Sequence, residues 1–166
     1  MSIAAKVTAQ LEQKAAEAVG VPVLGAGAVN RVGTMRYLAT NEVGDVAGDV
    51  LFGQHVGTRG LPKDQIRRAG GEPTDLPSGF ALVVTADHVH VFDVRFGPWT
   101  RVKLKKELGR FDRAGLEAAV QEGTLVTVYH LYSPGQGQDV MFEMLGGSTA
   151  GGRYTTELTA LIRGSS

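Results

Sequence analysis

Three groups of residues in this chain have types and spacings that could do chemistry. The first lies in "VPVLGAGAVN", residues 21–30, where an apolar run leads into Gly25-x-Gly27. A dinucleotide fingerprint opens in this way, because its glycines let the backbone approach a pyrophosphate at a helix N-terminus. The fingerprint needs a third glycine two residues later, and Asn30 stands there. It also needs a second parallel strand ending in an acid about 20 residues on. Asp45 is at roughly that distance, but "NEVGDVAGD" does not read as a strand. Two glycines in a glycine-rich stretch argue against a nucleotide site, and no cofactor is expected.

The second group is the histidines: His55, His88, His90 and His130. On a strand, His88-x-His90 puts both imidazoles on one face. Asp93 is close, yet two histidines leave a metal short of ligands, and no carboxylate has clear register with them. The pair reads as exposed hairpin residues, and no metal is expected. Serine offers no better nucleophile. Ser2, Ser78, Ser133, Ser148, Ser165 and Ser166 are the full set, and none sits in a nucleophile elbow. No two carboxylates stand out as an acid/base couple.

The third group is the basic stretch "RFGPWTRVKLKKELGRFDR", residues 95–113. It holds Arg95, Arg101, Lys103, Lys105, Lys106, Arg110 and Arg113 against Glu107 and Asp112, a surplus of five positive charges. Phe96 and Trp99 lie within it. Aromatic rings beside cations suit a membrane interface, where each lysine near an anionic surface is worth ~1 kcal/mol. The simpler reading is a solvated strand edge whose lysines block unwanted strand pairing, with Trp99 in a core or lid. Contact with nucleic-acid phosphates ranks below lipid or protein, because few aromatics are placed for stacking.

Composition narrows the field. Over 166 residues, 17 Lys and Arg balance 17 Asp and Glu, so any electrostatic preference must be local. With no cysteine, thiolate catalysis, disulfides and Cys-based zinc sites are excluded. Charged residues interrupt the N-terminal segment, and no apolar run reaches membrane-span length. The expectation is a cytoplasmic protein, with peripheral attachment at the inner membrane surface if it binds lipid.

The elements that would position these residues are these. Residues 2–19 read as a helix, with Ser2 as N-cap, Ile3, Val7 and Leu11 in a stripe, and Gly20 with Pro22 as the stop. Residues 20–79 read as an irregular, glycine-rich segment packed on the domain surface, closed by a polar loop punctuated by Pro62, Pro73 and Pro77. "FALVVTA" and "VHVFDVRF" read as one hairpin, and "TLVTVYHLY" (124–132) with "DVMFEML" (139–145) as a second. "AGLEAAVQEG" (114–123) reads as helix by propensity. Tyr154, Leu158, Leu161 and Ile162 form one apolar stripe on a short final helix. A helix with one stripe suits the open side of a small curved sheet.

"LVVTADHVHVF" resembles the opening hairpin of bacterial pleckstrin-homology-like (PH-like, GRAM-related) domains: a strand ending in Thr, a short turn, a second strand. The basic stretch, the strand pair and the final helix follow in that family's order, over residues 78–163. The layout of N-terminal helix, glycine-rich segment and such a domain is similar to one recurrent in actinobacterial proteins. Two features depart from the family. His88 stands where a basic residue usually opens the second strand, and residues 114–123 read as helix where the family has a strand. The resemblance implies a seven-stranded bent barrel capped by a helix, acting as a binding scaffold without chemistry.

The expected fold is therefore α+β: an antiparallel bent β-barrel capped by a C-terminal helix, with an N-terminal helix and a glycine-rich segment. The expected division is 1–79 and 80–166. The expected role is a non-enzymatic interaction module that binds an anionic membrane surface or a protein partner. Its site residues would be Arg95, Trp99, Arg101, Lys103, Lys105, Lys106 and Arg110, and the N-terminal half could mediate self-association. The alternative is a small ligand carrier or enzyme with a pocket between the glycine-rich segment and the sheet.

Overall fold

The computed structural model describes residues 3–32, 65–67, 73–77, 79–98, 101–122, 126–145, 158 and 160–162. Helix α1 runs Ile3–Val19. It stops at Gly20, whose φ of 71° is the left-handed C-cap conformation, and the Gly20 N–H closes the last turn on the Ala16 carbonyl at 3.0 Å. Ser2, Tyr154 and Trp99 lie outside the described residues.

Nine strands follow among the described residues, and every pairing is antiparallel. Strands β1 (Val23–Asn30), β4 (Gly79–Thr85), β5 (His88–Phe96) and β6 (Val102–Asp112) lie side by side in that order. Strands β7 (Glu117–Glu122), β8 (Val126–Ser133) and β9 (Gln138–Leu145) form a second meander. The two groups meet where Asn30 of β1 pairs with Glu143 of β9. The short hairpin of β2 (Gln65–Arg67) and β3 (Pro73–Asp75) pairs with β9 through Ile66 and Val140.

Strand β4 explains the architecture. "GFALVVT" has no polar alternation because both faces of the sheet are covered. Phe80, Leu82 and Val84 face one apolar cluster, and Ala81 and Val83 face another. The first cluster is the main core. Tyr129 stacks on Phe142 at 5.0 Å between ring centroids, and Phe80 meets Phe142 edge-on at 6.5 Å. Leu158 and residues 160–162 are helical, with Leu158 and Ile162 buried in this core and Leu161 packed against it. The second cluster lies under α1. Leu11 and Ala15 cover Ala26, Ala81, Val83, Phe92, Val94 and Val102. Two helical pieces thus cover opposite faces of one sheet.

The structure corrects three readings. Residues 23–30, read as irregular, are a central strand. Their Gly-Ala sequence has little β-propensity, and it is pairing with β4 along the whole length that fixes the conformation. The supposed polar loop contains β2 and β3, and its Ile66 is fully buried in the main core. Residues 117–122, read as helix, are strand β7. Cross-strand pairing with β8 and burial of Leu116 and Ala118 against the core override the helix propensity of Glu and Ala. The sheet also draws strands from both sides of residue 79.

The antiparallel sheet and the N-terminal helix agree with the expected α+β class. Ring closure is absent among the described residues: β6 and β7 follow each other through the turn 113–116 and do not pair. Among the described residues no helix is long and apolar enough to cross a membrane.

Candidate functional site

The basic stretch runs from the end of β5 through all of β6. The Gly97 N–H donates to the Arg101 carbonyl at 2.9 Å, which closes the hairpin. Register then places Arg95 opposite Lys103 and Phe96 opposite Val102. In an antiparallel pair, side chains directly opposite share a face. Arg95, Arg101 and Lys103 are exposed and crowd the hairpin tip.

Phe96 is 53% exposed at that tip. Phe80, Phe92, Phe111 and Phe142, the other described phenylalanines, are buried. Its neighbour across the strands, Val102, is buried under α1, where the Val102 N–H donates to Gln10 Oε1 at 3.3 Å. The Asp93 carboxylate lies 3.8 Å from Arg95 and is the one acid paired with a tip cation among the described residues. Arg101, Lys103, Lys105 and Lys106 make no ion pair among the described residues.

Arg110 belongs elsewhere. It lies about 23 Å along β6 from Lys103 at the usual strand rise. Its guanidinium is engaged with Glu107, at 3.1 and 3.2 Å. Glu107 also accepts from His90 Nδ1 at 2.8 Å. Partial burial works against ionisation of Glu107, but hydrogen bonds and charge from Arg110 and His90 outweigh it. The carboxyl pKa is held below its ordinary value.

The histidine reading needs correction as well. His88 and His90 do share a face, 5.7 Å apart between ring centroids. His90, however, is buried rather than exposed, and it stacks on Phe92 at 6.1 Å. Both rings reach carboxylates of β6: His88 lies 3.2 Å from Asp112, its cross-strand partner, and His90 2.8 Å from Glu107, which stands opposite Phe92. The partners come from β6, so the relationship is invisible in the β5 sequence alone. A third histidine–carboxylate pair, His130 and Asp139 at 2.9 Å, bridges β8 and β9. Among the described residues, no group of three or more His, Asp or Glu could hold a metal ion.

Arg113, the last cation of the stretch, holds the fold together. Its guanidinium donates to the carbonyls of Thr85 and Ala86, each at 3.0 Å, and to that of Leu161. It therefore ties the β4–β5 turn to the C-terminal helical residues.

Of the expected site residues, the structure brings together Arg95, Arg101 and Lys103, with Lys105 and Lys106 exposed farther along β6. It separates Arg110 from them, and Trp99 lies outside the described residues. Phe96 was visible in the stretch, but nothing in the sequence marked it as exposed. Comparison with family models, with curated proteins and with solved structures finds no match to this chain.

Proposed function

We propose that this chain is a non-enzymatic interaction module that binds an anionic membrane surface through the β5–β6 hairpin. The observation that carries the reading is Phe96, half exposed at the tip of the hairpin, on the α1 side of the sheet, where the same tip presents the exposed Arg95, Arg101 and Lys103. Lysines along β6 have a simpler explanation, since β6 is an end strand of the sheet and charge guards an edge. Edge protection does not account for an exposed phenylalanine at the tip of a cationic hairpin. At a bilayer the ring sits at the head-group level while the cations meet anionic lipid, each lysine contributing ~1 kcal/mol.

A PH-like bent barrel is the scaffold we propose for this module. Support comes from the two antiparallel strand groups, β1-β4-β5-β6 and β7-β8-β9, which meet at Asn30 and Glu143, and from the helical stripe buried in the core they share. Flotation with anionic vesicles tests the function. Binding at low salt that is lost when Lys103, Lys105 and Lys106 are neutralised supports it. Absence of binding at low salt overturns it.

A further inference from the structure

We infer that the first turns of α1 belong to the same lipid-facing surface as the β5–β6 hairpin, with Lys6 as a direct contact to anionic head groups. The inference rests on the membrane reading and extends it to an element far away in sequence. Gln10 of α1 accepts the Val102 N–H at the start of β6, which anchors that part of the helix beside the hairpin tip. Val19, near the other end of α1, packs in the cluster that contains Val23 at the start of β1. Val23 pairs with Thr85, at the end of the sheet opposite the tip. The helix therefore crosses the sheet with its N-terminal turns at the tip.

Lys6 precedes Gln10 by four residues, one turn and about 6 Å along the axis, on the same side of the helix. It is exposed and makes no ion pair among the described residues. Lys14 lies farther along α1 and is already paired with Glu17 at 3.4 Å. One end of the sheet thus gathers Lys6, Arg95, Arg101, Lys103 and Phe96 in a molecule with no net charge. These cations occupy exposed positions on the helix and the hairpin. That arrangement fits a charged surface rather than one stereospecific head group.

The test compares Lys6→Ala, Lys14→Ala and Lys103→Ala in the full chain. Each is titrated at low salt with phosphatidylcholine vesicles containing phosphatidylserine, and circular dichroism checks that each is folded. Lys6→Ala and Lys103→Ala should each weaken partitioning about fivefold, and Lys14→Ala much less. If Lys103→Ala weakens binding but Lys6→Ala matches Lys14→Ala, the helix is not part of the surface and the hairpin reading stands alone. If the unaltered chain does not bind these vesicles, both readings fall together. Replacing phosphatidylserine with a phosphoinositide at equal total charge separates the lipid sources. A large gain with the phosphoinositide would mean a specific pocket and overturn the assignment to a general anionic surface.

Discussion

A β-carbon at Gly25 would lie 2.6 Å from Cδ1 of Leu161. The first glycine of the motif that resembles a nucleotide fingerprint therefore has a packing role. It lets the C-terminal helical residues lie directly on β1, with Leu158 and Ile162 buried beside them. Glycine weakens a strand on its own, and it is retained where another element approaches closely.

Gly25→Val should destabilise the protein by ~1–3 kcal/mol through overpacking. Part of that loss should return in the double variant with Leu161→Ala, because truncation frees the contested space. Chemical denaturation of the four corners of this cycle measures the coupling. Additive effects would mean that the two residues do not compete for the same volume.

Gly109 has the same relation to Ile66, whose Cδ1 would lie 2.5 Å from a β-carbon there. Ile66 is fully buried and has less freedom to move than Leu161. Gly109→Ala should cost ~1–3 kcal/mol, and Ile66→Val, which removes the colliding methyl, should recover some of it. A fully stable Gly109→Ala would show that β2 does not press on β6.

Arg113→Ala should remove the link between the β4–β5 turn and the C-terminal helix. A hydrogen bond from a charged donor is worth ~1.5–3 kcal/mol. Hydrogen exchange should report faster opening of residues 158–162 than of β4 in the variant. Uniform acceleration across both would place Arg113 in the global core instead.

Glu107 makes stability depend on acid. Its pKa in the folded chain lies below the ordinary carboxylate value. Its contribution is therefore complete above that ordinary value and is lost as pH falls through the lowered one. Glu107→Gln should be less stable at neutral pH and should lose less stability on acidification. Parallel pH profiles for the two proteins would show that Glu107 gains nothing from Arg110 and His90.

Which parts of this structure the sequence made legible follows from where the information resides. Strands β4, β5, β8 and β9 are dense in β-branched and aromatic residues, so their own composition announces them. Leu158, Leu161 and Ile162 announce a helix stripe in the same way. Strand β1 does not, because Gly25, Ala26, Gly27 and Ala28 carry no strand preference, and the neighbours impose the conformation. Alanine and glutamate in β7 point to helix until β8 pairs with them. The cations of the hairpin could be read directly. The exposure of Phe96, the isolation of Arg110 and the His90–Glu107 pair could not. They depend on the β5–β6 register, which shifts around Phe92.

Loss of the exposed ring should weaken lipid binding without harming the fold. Phe96→Ser removes apolar surface that is already half in water, so stability should change by less than about 0.5 kcal/mol. Vesicle affinity should fall, and the remaining binding should depend more steeply on salt, since charge alone would drive it. Equal affinity for the variant and the parent would remove Phe96 from the interface.

Trp99 is the one tryptophan in the chain and falls in the sequence between β5 and β6. Its fluorescence therefore reports on the hairpin directly. Titration with phosphatidylserine-containing vesicles at low salt should shift the emission to the blue and shield it from an aqueous quencher, and added salt should reverse both. An emission spectrum and quenching unchanged at saturating anionic lipid would contradict the assignment of this hairpin as the membrane-binding element.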